Sequence, residues 1–315
     1  MVTLAHSPRP DRCQMTGRFG KYLPEADSPV RRLNIEETKG VNRLLELWKA
    51  VESMPYSRGS QDHWSLGRFI SVYRDFLRHA ESLDYSNADV TALSALIHAL
   101  APEHLQRLEA SAFLTAIIEA SKETDHLLVL KNADGDFPFL GYENRKNVTI
   151  IGDVDSTGYE MRSGSITVQG WGGDVGTHMK GGIIVVDGDC DGIGSQMSGG
   201  EVHIKGSVRP GPKTSGSYCG IGFDTYGCRI VVDGDCPAVM NVSGGDITIG
   251  GNVVDVGMRN HSAIIRIAGN VTGEIGRWMS GGEIHIGGSM GPISDEIHRG
   301  KVFQKGKLIY GGDRG

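Results

Sequence analysis

The sequence predicts an α + β chain: an N-terminal α-helical domain followed by a right-handed parallel β-helix, a solenoid of short stacked strands. Three observations predict it. An apolar–x–apolar–x–Gly phrase recurs nine times, at Val148–Gly152, Ile166–Gly170, Ile184–Gly188, Val202–Gly206, Ile230–Gly234, Ile247–Gly251, Ile265–Gly269, Ile284–Gly288 and Val302–Gly306, at intervals of 18, 18, 18, 28, 17, 18, 19 and 18 residues. A second phrase, Met-x-Gly-Gly, lies between strands at Met179–Gly182, Met197–Gly200 and Met279–Gly282. Of the 46 glycines, 39 fall in residues 148–315, so this half is nearly all strands and corners. A fixed period of this size marks a stacked solenoid.

From the N-terminus, residues 1–28 read as a flexible arm, with three prolines and scattered charge. A helical domain spans 29–131. Residues 35–54 carry Leu44, Leu45, Leu47, Trp48 and Val51 at helical spacing, and residues 61–83 carry Trp64, Phe69, Ile70, Tyr73, Phe76, Leu77 and Ala80. A third helix starts at the cap Ser86 and ends before Pro102. A fourth opens at Pro102 and runs to about Lys122 through Leu105, Leu108, Phe113, Leu114, Ile117 and Ile118. The aliphatic run Leu127–Leu130 is expected as a strand that caps the open end of the solenoid, because an unpaired strand edge invites aggregation. Residues 132–147, rich in Gly, Asp and Asn, are expected as the linker, and 148–315 as the solenoid.

Within the solenoid each strand alternates over only about five residues, so it buries its apolar row only by stacking on the next copy. Ile166, Ile184, Val202, Ile230, Ile247, Ile265, Ile284 and Val302 form one inward ladder; Val168, Val186, Ile204, Val232, Ile249, Ile267 and Ile286 form a second. Thr167, Val185, His203, Val231, Thr248, Arg266 and His285 point outward. Eighteen residues per coil suit three sides. The rival is the left-handed hexapeptide coil, which needs an aliphatic residue every six positions. Counting on from Ile166 gives Gly172 and His178, and from Ile184 gives Cys190 and Gln196. The hexad fails, which favours the right-handed form.

Composition narrows the function. Neither a hydrophobic run of membrane-spanning length nor a signal peptide is read. A net charge of −6 without a long basic cluster argues against nucleic acid or an anionic membrane as the main partner. Five scattered cysteines, Cys13, Cys190, Cys219, Cys228 and Cys236, fit a reducing, cytoplasmic setting.

Each candidate for chemistry has a plainer reading. Cys190 and Cys236 hold equivalent Gly-Asp-Cys positions two coils apart, about 10 Å at the usual strand spacing and beyond disulfide reach, so corner packing is expected. Cys219 and Cys228 lie in the irregular interval Ser207–Cys228, whose extra residues are expected to bulge from the coil without a third or fourth metal ligand nearby. His203 and His285 share an outward slot four coils apart and cannot ligate one metal. His178 and His261 sit near glycine corners as packing residues. Asp153, Asp187, Asp189, Asp233 and Asp235 are expected to form turns through their own backbone, since calcium solenoids use a denser repeat. Met161, Met179, Met197 and Met279 are expected to stack as a soft apolar seam, core or docking strip. Val2 stands where an amidotransferase would place its nucleophilic cysteine, and no glycine-rich phosphate loop opens a helix. No catalytic, cofactor-binding or metal residue is therefore assigned, and no cofactor is expected.

The stretches GDVGTHMKGGIIVVDGDCDGIGSQMSGGEVHIKG (Gly173–Gly206) and GNVTGEIGRWMSGGEIHIGG (Gly269–Gly288) resemble the glycine-repeat, or GXGXG, β-helix family. That family includes the C-terminal domain of glutamate synthase large subunits and the C subunit of formylmethanofuran dehydrogenase. The resemblance covers about half the chain. It implies a non-catalytic scaffold subunit of a glutamate synthase-like or formylmethanofuran dehydrogenase-like complex. The implied partners are an amidotransferase and a flavin-dependent synthase, or formyltransferase- and amidohydrolase-like subunits, or a second copy of the chain. The alternatives are a stand-alone enzyme using a surface groove on the β-helix and a self-assembling, ligand-sensing module.

Overall fold

The computed structural model describes residues 38–52, 66–101, 104–130, 137–209 and 220–313; the arm expected at 1–28, with Cys13 and Cys219, lies outside them. Four helices, α1 (Lys39–Glu52), α2 (Leu66–Ala80), α3 (Asn87–Leu100) and α4 (His104–Ala120), precede a parallel β-solenoid of about nine turns that runs from residue 125 to 304. Ser86 caps α3 as its residue type demands. Its side chain accepts from the Asp89 amide, and the Asp89 carboxylate accepts from the Ser86 amide at 2.8 Å, a full capping box. The same carboxylate accepts from the Thr38 hydroxyl beside α1. A Cβ at Gly40 would come within 2.2 Å of Asp89 Oδ2, so only glycine admits this approach.

The helices hold together through aromatic rings. Phe113 of α4 meets Phe76 of α2 at 4.7 Å and Trp48 of α1 at 5.4 Å. Phe69 continues this core onto the coil, meeting Phe139 at 5.3 Å and Tyr142 at 5.7 Å.

The solenoid has two hydrogen-bonded sheets. The longer has eleven strands and the shorter six, and every coil-to-coil pair of named strands is parallel. Register matches the sequence phrases in phase: Ile166 lies beside Ile184, Ile184 beside Val202, and Ile265 beside Ile284. Both expected ladders are buried, with Ile184, Val186, Ile247 and Ile284 at 0% exposure. The third side is not a sheet. Isolated bonds join successive coils there: Met161 O accepts from Lys180 N at 2.8 Å and Gly181 N at 3.3 Å, and Met179 O accepts from Ser198 N at 2.8 Å.

The coil begins earlier than the sequence phrases suggest. Asp125–Val129 pairs in register with Asn147–Ile151, placing His126 and Leu128 on the two inward ladders. Leu140 bridges Thr157, so much of the expected linker 132–147 is the first coil itself. The true cap is α3, whose Asn87, Thr91 and Ser94 lie along the free edge of that strand. Thr91 Oγ1 donates to Leu127 O at 2.8 Å, Ser94 Oγ accepts from Val129 N at 2.9 Å, and Asn87 Nδ2 donates to Asp125 O. Helix side chains thus replace the missing neighbouring strand.

The far end differs too. After Gln304 the chain reverses through Lys305 and Gly306, both at positive φ, and returns as an antiparallel strand, Lys307–Asp313. A two-residue loop with two positive φ values is the hairpin turn that suits strand twist.

Candidate functional site

Corners were expected to need glycine, and they do so in two ways. Gly182 adopts φ +91°, and a Cβ on its neighbour Gly181 would come within 2.6 Å of Arg162 O. The same division recurs at Gly199–Gly200 and Gly281–Gly282. Just before each Met-x-Gly-Gly lies a feature that residue type conceals. Glu143, Glu160, His178, Gln196, Asp224, Asn241, Arg259 and Trp278 all adopt left-handed backbone, with φ between 50° and 58°. In most coils a tight turn forces it, as when Met179 N donates to Gly176 O at 3.1 Å across Thr177 and His178. The turn drives the next side chain inward. Asn144, Met161, Met179, Met197, Thr225, Val242, Asn260 and Met279 consequently occupy one buried slot, coil after coil, and the buried Ile297 continues the row without a left-handed residue before it. The methionine seam is core. Where asparagine replaces methionine it satisfies the turn: Asn260 Oδ1 accepts from Ala263 N at 2.9 Å and its Nδ2 donates to Ala263 O at 3.1 Å.

The acidic corner row resolves into two groups. Asp153, Asp189 and Asp235 accept from the backbone N–H of the equivalent residue one coil on: Trp171 at 2.7 Å, Ser207 at 2.7 Å and Asn252 at 2.6 Å. Asn252 and Asn270 continue the series to Ser289. These carboxylates stitch adjacent coils in place of the expected bonds to their own turns. Asp187 and Asp233 face outward and pair with Lys205 at 2.7 Å and His203 at 3.0 Å.

On the outer face of the longer sheet, Arg266 pairs with Asp246 at 2.6 Å. His285 lies parallel to Phe303 at 4.5 Å and bonds Glu283 at 3.0 Å; Lys301 reaches the same carboxylate at 3.1 Å. Hydrogen bonds from Lys301 and His285 hold the Glu283 carboxyl below its ordinary value. His203 and His285 are four strands apart in register, as expected. Arg266, His285 and Lys305 border a shallow depression of about 290 Å³ floored by Ala268 and Gly287.

The thiols are enclosed. Cys190, Cys228 and Cys236 are buried and unbridged, and burial pushes the Cys228 thiol up to about 11. Of the irregular interval, residues 210–219 lie outside the described chain, and the coil resumes at Gly220–Thr225 within the shorter sheet. His178 leans on Tyr159 at 5.1 Å, and His261 bonds Ser280 at 2.6 Å. Among the described residues no group of three or more His, Cys, Asp or Glu side chains is placed to hold a metal ion. No described helix is long and apolar enough to cross a membrane.

Two surface features are not foreshadowed by the repeat pattern. Trp278, on its left-handed corner, has Arg277 over its ring at 4.3 Å and Arg259 at 5.0 Å. The second is a groove of about 600 Å³ beside the final strand, bordered by Glu283, Arg299, Lys301 and Leu308 over Gly300, Gly311 and Gly312. Its signal was the Tyr-Gly-Gly run after an apolar pair, which the glycine phrases around it disguised. No protein-family model, curated protein or solved structure matches the chain.

Proposed function

We propose that this chain is a non-catalytic structural subunit, a rigid spacer that bridges enzyme partners. The observation that carries the reading is the pairing of its outward charges. Arg266 with Asp246, Lys205 with Asp187, Arg229 with Glu201 and Lys301 with Glu283 each bind a neighbour on the adjoining strand. Charges paired strand by strand suit a regular docking surface. The glycine-repeat likeness supplies the candidate partners: an amidotransferase with a flavin-dependent synthase, or formyltransferase- and amidohydrolase-like subunits. It also goes with a right-handed coil and a cytoplasmic setting.

The test is functional. The purified full chain is expected to show no glutaminase, glutamate synthase or formyl-transfer turnover, and to carry no stoichiometric flavin or metal. It is expected to form a stoichiometric complex with subunits of one of those two enzyme classes. Turnover by the chain alone overturns the reading in favour of an enzyme that uses a surface groove.

A further inference from the structure

Helix α4 is mostly apolar, yet one line along it is polar. Ala112, Phe113, Leu114, Ala116 and Ile117 are buried, and among them Ser111, Thr115 and Glu119 recur every four residues, on one face. That face is bonded to the first coil at three places. Ser111 Oγ donates to Pro138 O at 2.6 Å, Thr115 Oγ1 accepts from Gly141 N at 3.3 Å, and Glu119 Oε1 accepts from Arg145 Nη1 at 2.6 Å.

Three bonding functions remain unused at this seam. Glu119 Oε2 is buried and has no hydrogen-bond partner among the described residues. Thr115 Oγ1 accepts from Gly141 but donates to no described residue. Asn144 Oδ1 accepts from Lys146 N at 3.2 Å and keeps a second lone pair. Thr115, Glu119 and Asn144 all border one enclosed cavity, whose other walls include Leu128, Ile150 and Ile166. About 10 Å³ of it is open to the centre of a water molecule, which is room for one.

We propose that this cavity binds one ordered water, which accepts from Thr115 Oγ1 and donates to Glu119 Oε2 and Asn144 Oδ1. Three bonds are the usual complement of a buried water. A carboxylate oxygen shielded from solvent and left unbonded costs more than fixing one water in place. The site also accounts for a departure in the inward slot, where Asn144 stands in the place that Met161, Met179 and Met197 hold on later coils. This is the coil that α4 covers, and a thioether there could not hold a water for Glu119. A metal cation is the competing occupant, but it asks for about six oxygens, and these three side chains offer half that number. The inference goes beyond the scaffold reading and does not rest on it.

A crystal structure of the full chain is expected to show one solvent peak within about 3.2 Å of Glu119 Oε2, Thr115 Oγ1 and Asn144 Oδ1. Thr115→Ser keeps the hydroxyl and is expected to keep the peak, whereas Thr115→Val is expected to lose it. Asn144→Met, which carries the methionine seam into the cavity, is expected to lose it as well. In solution, oxygen-17 relaxation dispersion counts long-lived internal waters. That count is expected to fall by one in Thr115→Val and in Asn144→Met, and to stay at the wild-type value in Thr115→Ser. A dry cavity in the wild-type crystal overturns the proposal, and so does a count that neither Thr115→Val nor Asn144→Met lowers. A peak with about six oxygen neighbours at about 2.4 Å would overturn it in favour of a cation.

Discussion

The helical cap and the solenoid bury similar side chains by opposite means. In the cap, Phe113, Phe76, Trp48 and Phe69 each make contacts found nowhere else in the molecule, and the backbone is ordinary helix. In the coil one inward slot repeats nine times, while the backbone carries the unusual demands: a left-handed residue and a glycine pair at the corner. The difference teaches where each region is vulnerable. A cap residue is unique and its loss is local to the cap; a coil position is generic, but its loss interrupts a stack in which every turn supports the next.

The largest expected effect comes from breaking the stack. Ile184→Asp puts a charge at a fully buried position between two neighbouring coils and is expected to abolish soluble, folded protein. Ile184→Ala is expected to cost about 2–5 kcal/mol in urea unfolding. A wild-type midpoint for either variant would end the ladder account.

Phe113→Ala tests the other side of the comparison. It is expected to cost about 3–5 kcal/mol, with hydrogen exchange accelerating in α2 and α4 while Ile247–Ile286 stay protected. Uniform loss of protection would show that cap and coil are one cooperative unit.

His126 sits where the two regions join, buried on the inward ladder of the first coil. Its Nε2 lies 3.2 Å from Glu123 O, and Nδ1 has no hydrogen-bond partner among the described residues. Burial, with the Lys146 charge nearby, pushes its pKa below the ordinary 6.5, despite the opposing pull of Glu123 and Asp125. In the unfolded chain the imidazole takes up a proton as pH falls through 6.5; in the folded chain it stays neutral. Stability is therefore complete above about pH 6.5 and declines below it, until the depressed folded value is reached. His126→Leu is expected to flatten this decline between pH 7 and 5. An unchanged slope would place the acid sensitivity elsewhere.

The smallest effects sharpen the corner rule. Gly182→Ala introduces a Cβ within 2.6 Å of Met161 Cε at φ +91° and is expected to cost about 1–3 kcal/mol. His178→Gly relieves a left-handed residue and is expected to fall within about 1 kcal/mol of wild type, stabilising if the strain outweighs unfolded-chain entropy. Equal losses at both positions would refute the division of labour within the corner.

The periodic part of this fold was legible because strand alternation and an 18-residue interval leave few alternatives, and Ser86 announced α3 through its cap chemistry. The first coil was legible only in part: a strand was expected at Leu127–Leu130 and lies at Asp125–Val129, but as the first coil of the sheet and not as its cap. Its strand lies 22 residues before the next, from Asp125 to Asn147, and its inward slot holds Asn144 in place of methionine. The left-handed corners were invisible because Glu, His, Gln, Arg and Trp do not advertise that conformation. Asp153 and Asp189 were read as local turns because their true partners are 18 residues away in sequence and adjacent only in the stack. The final strand was hidden among glycine corners, since only its antiparallel pairing sets Lys305–Gly306 apart.

The most direct test of the central claim is an activity and assembly measurement on the same sample. The purified chain is assayed for glutamine hydrolysis, glutamate synthesis and formyl transfer, alone and mixed with subunits of the candidate enzymes, while light scattering records complex formation. The account predicts no turnover from the chain alone and a defined complex with one class of subunit. Turnover by the isolated chain, with no complex formed, would contradict it.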